Sequence, residues 1–336
     1  EDYLDCKDAN EILKKYGVEQ IRKCIENAVR IPVKQIIDLA DVEDENPYLV
    51  EKLPTGISEF DRILNGGLPF GGLAIVAGKR GEGKSTVSSQ IVINAIEKKY
   101  TCFAYSGELP NRAFRSIIDF QAAGGMHITE ATNINGKSYN TISKTNKELI
   151  SAWYRGKCLL YDNGCLDDDE TIGLLTTIET AIMQYGARVI LLDNLMTAID
   201  LDESNISDKN EKQSIFVKKL ARIALRYNVL IILVAHKRKN NFSTDDNDEI
   251  SGSGDISNLA SVIISYERGK DLGQFQRLGK ITKNRLFGNL ELKGITLDYD
   301  QKSKRIYGAG DDVNREFSWN TVGNSFYGID YETPFD

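Results

Sequence analysis

Gly78-Lys79-Arg80-Gly81-Glu82-Gly83-Lys84-Ser85 is a complete G-x-x-x-x-G-K-[ST] sequence, followed by Thr86 and set between a continuous apolar run, residues 73–77, and a helix-periodic segment. A buried parallel strand delivers the chain to a glycine-rich turn whose N–H groups can surround phosphates, and the next helix begins with its positive dipole end facing them. Lys84 is then placed to contact the β/γ-phosphates and Ser85 to ligate Mg²⁺. The expectation is a nucleoside triphosphate, ATP or a dNTP, held by residues 78–86.

The same strand-then-helix pattern recurs over residues 55–308. Strand-like runs occur at residues 102–106, 189–192, 229–235 and 262–266, and residues 211–227 carry Ile215, Phe216, Leu220, Ile223 and Ala224 on one helical face. Short apolar strands joined by helices predict an α/β domain with a mainly parallel sheet covered on both faces. Residues 278–282, 290–297 and 305–307 follow without intervening helices, which predicts an antiparallel C-terminal edge. In such a sheet the ligand lies at the carboxyl ends of the strands. Asp193 ends one strand, where an acid can hold the Mg²⁺ shell. Glu108 follows another and suits either a general base or the start of the helix after Pro110. His236 ends a third, where a γ-phosphate can be sensed, although a strand-end histidine is more often structural. Lys283 and Arg285 form a basic pair near a later strand end, for which a solvated cluster is the default reading.

The chain has 336 residues, is 41% hydrophobic and 27% charged, and carries a formal net charge of −7. The composition is that of a soluble globular protein, and no apolar stretch approaches the roughly 18 residues of a membrane span. Much of the acidity sits in residues 309–336, with Asp311, Asp312, Glu316, Asp330, Glu332 and Asp336 against Arg315 alone. The near-neutral body can therefore hold a local basic loop. Cys6, Cys24, Cys102, Cys158 and Cys165 contain no C-x-x-C pair, which favours a reducing, cytoplasmic setting over a disulfide framework. Residue 1 is Glu, so the chain reads as a fragment of something longer.

With these motifs in order, residues 55–307 resemble the RecA-like helicase domain of the DnaB-type superfamily, closest to its phage primase-helicase and mitochondrial Twinkle branch. The resemblance is carried by Thr55-Gly56-Ile57 with Gly66-Gly67-Leu68, the phosphate loop, Gly107-Glu108-Leu109, Leu192-Asp193-Asn194, Val234-Ala235-His236, Ser251-Gly252-Ser253-Gly254-Asp255 and Lys283-Asn284-Arg285-Leu286-Phe287-Gly288. It implies Glu108 as catalytic carboxylate, Asp193 as Walker B acid, His236 as γ-phosphate sensor, and Arg285, assisted by Lys283, as a finger reaching a neighbour's nucleotide. It also implies that Arg268 and Tyr299 sandwich the nucleobase. Cys6-Lys7-Asp8-Ala9-Asn10-Glu11 looks like the end of a Toprim primase domain.

The expected organisation is a Toprim remnant at 1–30, a linker with a short helix over 31–42 at 31–50, the helicase domain at 51–308, and an acidic aromatic tail, extended or disordered, at 309–336. The linker helix, with Val33, Ile36, Ile37, Leu39 and Ala40 on one face, is expected against the neighbouring subunit of a homo-hexameric ring. Single-stranded DNA is expected on the loop after the sensor, at Lys237, Arg238, Lys239, Asn240, Gly252 and Gly254. The tail, with Phe326, Tyr327, Tyr331 and Phe335, is the expected dock for a replicative polymerase. The function implied is an NTP-driven ring helicase in DNA replication. The alternatives are a RecA/RadA-like recombinase ATPase and a nucleotide-gated DNA-binding module without motor activity.

Overall fold

The computed structural model describes residues 4–28, 33–34, 36–165, 172–201, 208–237, 247, 250, 254–269 and 271–320. It contains two compact units, Glu1–Asn46 and Pro47–Asp336. In the first, helix α1 (Ala9–Glu26) starts at Asp8, whose carboxylate accepts the Glu11 N–H at 2.9 Å, while the Glu11 carboxylate accepts the Lys7 N–H at 2.6 Å. This reciprocal pairing satisfies amides that a helix start leaves open. Gly17, at φ 82°, interrupts the helical backbone. Where the sequence predicts a helix over 31–42, the described residues form only a single 3-10 turn, Leu39–Asp41, and Val33, Ile36, Ile37 and Leu39 are exposed. So short a segment has no internal means of holding a helix in water.

The second unit runs β1 (Lys52–Leu53), α2 (Ser58–Ile63), β2 (Leu68–Pro69), β3 (Leu73–Gly78), α3 (Lys84–Glu97), β4 (Thr101–Ser106), α4 (Asn111–Ala123), β5 (Ile128–Thr132), β6 (Ser138–Ile142), α5 (Lys144–Tyr154), β7 (Cys158–Leu160), α6 (Leu174–Tyr185), β8 (Ala187–Asp193), α7 (Leu195–Asp200), α8 (Lys209–Tyr227), β9 (Leu230–His236), α9 (Gly254–Leu259), β10 (Val262–Glu267), β11 (Gln276–Asn284), β12 (Glu291–Tyr299) and β13 (Ile306–Tyr307). Nine strands form one sheet in the order β13-β12-β11-β10-β3-β9-β8-β4-β7. From β10 to β7 every pairing is parallel, and β11, β12 and β13 add antiparallel edges. The predicted α/β class and antiparallel edge are both present.

The central strands read as unbroken apolar runs because both their faces are covered. Ala74 and Val76 of β3, with Ile232 and Val234 of β9, pack with Val87 and Ile91 of α3 and with α4 and α5. The alternate residues, Ile75, Ala77, Leu233 and Ala235, pack with α6, α7, α8 and α9. Each fully buried Ile, Leu or Val contributes about 1.5–3 kcal/mol, so the sheet centre is the most firmly held part of the unit. The site is built on its edge.

Residues 308–320 depart from the expected loose tail. Phe317 and Trp319 are buried in the α3–α4–α5 cluster, and the Trp319 indole N–H donates to the Ala122 carbonyl at 2.9 Å. Arg305 fastens this segment: it is 3% exposed and donates to the carbonyls of Gln121, Ala122 and Arg315. Two aromatics with apolar payload and one guanidinium with matched carbonyls outweigh the acidity that suggested disorder. Phe326, Tyr327, Tyr331 and Phe335 lie outside the described residues.

Candidate nucleotide site

The register aligns the ends of four neighbouring strands. Gly78 of β3 lies opposite His236 of β9, and Ser106 of β4 opposite Asp193 of β8. Chain reversal directly after Gly78 needs left-handed backbone, which Gly81 (φ 76°) and Gly83 (φ 96°) supply. Gly78 itself is required by proximity, because a Cβ there would stand 2.2 Å from the Tyr266 carbonyl oxygen. Gly83 then caps α3, whose first residue is Lys84. The loop is braced by Glu82: one carboxylate oxygen accepts the Lys79 N–H at 2.6 Å and the other the Arg268 N–H at 3.3 Å, while the Arg277 Nε–H donates to the Glu82 carbonyl.

Lys84 is 6% exposed, and its Nζ donates to the Lys79 carbonyl at 2.8 Å. Burial holds its ammonium below the usual lysine range, opposed by the negative charges of Asp193, Glu108 and Glu82. Asp193 is 1% exposed; burial raises its carboxyl above the usual range, against a hydrogen bond with Ser85 that lowers it. Its Oδ2 is buried without a partner. An unpartnered carboxylate oxygen beside a hydroxyl is a donor set suited to a hard divalent cation, so Ser85 and Asp193 fit the Mg²⁺ role expected of them.

Glu108, Asn194 and His236 meet at one point. The Asn194 Nδ2 donates to Glu108 Oε1 at 2.5 Å, and His236 Nε2 lies 3.2 Å from both. Burial, then the Lys84 charge, pushes the imidazole below its usual range, with Glu108 pulling the other way. Its Nδ1 is buried and unpartnered. Glu108 is half exposed, which leaves it able to meet a solvent molecule.

Lys283 and Arg285 are not brought to this cluster. Lys283 lies opposite Ile263 near the start of β10, whereas the phosphate loop leaves β3 beside the end of β10, where Ser265 pairs with Ala77. At about 3.3 Å per residue the intervening strand puts the pair well away from the phosphate loop of its own chain. The Lys283 Nζ donates to the carbonyls of Ser257 at 2.7 Å and Asn258 at 3.0 Å, and Arg285 also donates to Asn258. Arg268 is exposed and tied to the loop by its backbone, while Tyr299 is half-buried against the core on β12. Among the described residues the two form no cation–π pair.

Lys237 directly follows the last residue of β9. Expected on a DNA-facing loop, it continues β9, donating its N–H to the Gly78 carbonyl at 3.0 Å, and its side chain is 1% exposed. The ammonium lies 3.6 Å from Glu267, which also pairs with Lys280 at 2.7 Å. That ion pair ties Lys237 to the sheet edge. Gly254 is exposed at the first position of α9. Arg238, Lys239, Asn240 and Gly252 lie outside the described residues.

Sequence reasoning gave no role to Asn194, Arg277 or the Glu82 side chain. A signal for Asn194 was present: an N-cap residue type directly after a strand-end acid, opening a helix. The Glu82 brace had none, because beyond Lys79 its partners, Arg268 and Arg277, lie far along the chain.

Comparison with known proteins agrees with this geometry. The family described as "ATPase: KaiC" matches residues 53–288. The DNA repair protein RadA of Rickettsia typhi is 23% identical over 264 residues, 78% of this chain and 48% of its own length. The chain thus spans about half the length of that relative. Among solved structures, a KaiC-like protein from the archaeon Pyrococcus horikoshii superposes with a TM-score of 0.53 at 18% identity, covering 77% of this chain and 99% of that one. A DnaB-like replicative helicase, studied for its interactions with primase, gives a TM-score of 0.61 at 14% identity over 90% of this chain and 67% of its own. The RecA-like fold is common to them all.

Proposed function

The chain belongs to the KaiC ATPase family, and from that premise we propose that it is a nucleoside-triphosphate-driven ring helicase domain that translocates on single-stranded DNA and unwinds duplex during replication. The observation that carries this reading is the division of the machinery between two ends of one sheet. Lys84, Asp193, Glu108 and His236 converge at the carboxyl ends of the strands, whereas Lys283 and Arg285 stand at the opposite end of the β10–β11 pair. A finger that its own chain holds away from its own phosphates has a use only at a neighbour's site, and a closed series of such contacts is a ring. The likeness to a solved replicative helicase of the same architecture supports the choice.

In the proposed reaction Lys84 and the loop amides hold the β- and γ-phosphates. Ser85 and Asp193 would hold Mg²⁺, which supplies charge neutralisation at the phosphates. Glu108 takes a proton from the attacking water as its oxygen bonds to the γ-phosphorus. The bond from that phosphorus to the bridging oxygen breaks, and the electron pair leaves with the nucleoside diphosphate. His236, adjacent to Glu108, reports the loss of the γ-phosphate to the chain that follows β9. The exposed apolar side chains of residues 33–42 are the proposed seat on the adjacent subunit, and the tail beyond residue 320 the proposed dock for a polymerase.

Steady-state ATP hydrolysis with and without single-stranded DNA tests the motor reading. Stimulation by DNA is expected. Tight DNA binding with no hydrolysis under either condition would make the chain a nucleotide-gated binding module instead.

A further inference from the structure

The Asn194 side chain is held more tightly than its place beside the catalytic groups requires. It is 3% exposed and caps α7, its Oδ1 accepting the N–H groups of Met196 at 2.9 Å and Thr197 at 3.2 Å. This fixes which end of the amide is which. Turning it over would set an NH₂ group against two amide donors, so the nitrogen must face the opposite way. There it meets Glu108 Oε1 at 2.5 Å and His236 Nε2 at 3.2 Å. One of its hydrogens is thus given to the proposed base, and a ring nitrogen of the proposed sensor stands beside both groups.

The surroundings preserve this arrangement. The Gly107 N–H donates to the Asp193 carbonyl at 2.6 Å, holding the turn that carries Glu108 against the end of β8. The approach is close enough that a Cβ on Gly107 would stand 2.0 Å from the Thr197 Oγ1. Thr197 is in turn bonded to the Asn194 carbonyl at 3.1 Å. Glu108 itself is half exposed and sits on a turn rather than inside a strand, so the amide is its fixed point.

We propose that Asn194 is a positioning residue for hydrolysis. Its amide, oriented by the start of α7, aims the Glu108 carboxylate and spaces it from His236. The proposal rests on Glu108 being the base.

Two substitutions separate this role from capping. Asn194→Ser retains a good N-cap acceptor but is too short to reach Glu108. Asn194→Asp retains cap, length and shape but replaces the donating NH₂ with a carboxylate oxygen that has no hydrogen to give Glu108. With Mg²⁺ and ATP, Asn194→Ser is expected to lower kcat by about 10-fold or more with KM within about 2-fold, since a misaimed base loses part of the roughly 10²- to 10⁴-fold that a positioned one supplies. Asn194→Asp is expected to lower kcat by at least as much. Should Asn194→Ser fail to fold by near-ultraviolet circular dichroism, the kcat of Asn194→Asp decides. An unchanged kcat in folded Asn194→Ser, or in Asn194→Asp, would overturn the proposal. Glu108→Gln run alongside keeps the two ideas apart: if it is inactive while Asn194→Ser is normal, only the role of Asn194 fails, whereas near-normal hydrolysis by Glu108→Gln removes the base and the proposal with it.

Discussion

Lys84→Ala abolishes turnover and weakens nucleotide binding, whereas Glu108→Gln retains binding and loses hydrolysis. The two residues differ in when they act. The Lys84 ammonium is buried at the start of α3, where Asp193, Glu108 and Glu82 supply opposing charge. Among the described residues its Nζ hydrogen-bonds to the Lys79 carbonyl. It meets phosphate in both ground and transition states, so its removal affects binding and rate together and leaves the carboxylates of the cluster without their cation. Glu108 acts on water alone, and loss of a positioned base costs about 10²- to 10⁴-fold in rate. Fluorescent-nucleotide titration and single-turnover hydrolysis on the two variants measure the split. Equal loss of affinity in both, or near-normal hydrolysis by Glu108→Gln, would remove Glu108 from the catalytic role.

Arg285→Ala eliminates hydrolysis while leaving each subunit's own nucleotide affinity nearly intact. A finger supplied across an interface is worth about 10³- to 10⁵-fold in rate, and among the described residues Arg285 is held on its own chain by hydrogen bonds to the carbonyls of Ser261 and Asn258. Lys283, beside it, is held below the usual lysine range by burial and by the neighbouring guanidinium, a strain that an incoming phosphate would relieve. Mixing provides the decisive readout. Subunits carrying Arg285→Ala keep an intact phosphate loop, and subunits carrying Lys84→Ala keep an intact finger, so mixed rings regain active interfaces at intermediate ratios. Demonstrated co-assembly with no rescue at any ratio would show that the site is not shared.

The sheet and its phosphate loop were legible in the sequence for a local reason. Strands covered on both faces must be continuously apolar, and a loop that wraps phosphate must carry glycine where φ is positive, so residues 73–86 announce themselves. The strand-end residues Asp193, Glu108 and His236 were legible because a parallel sheet presents its carboxyl ends together. The β5–β6 hairpin was not, since Thr129, Glu130, Thr132, Ser138 and Asn140 lack an apolar alternation; only Asn135-Gly136 marks its turn. The burial of Lys237 was not legible, because a basic run after a strand reads as a solvated loop and its partner Glu267 lies on a later strand. The segment 308–320 misled in the same way: its charge was visible, while the carbonyls of α4 that receive Arg305 and Trp319 were not.

Strand displacement on a forked DNA duplex with Mg²⁺ and ATP, set against strand exchange between homologous duplexes, tests the proposed function most directly. The account predicts displacement that requires hydrolysis, is lost in Glu108→Gln, and occurs without exchange. Exchange with no displacement, at a comparable rate of DNA-stimulated hydrolysis, would contradict it and place the chain among recombinases.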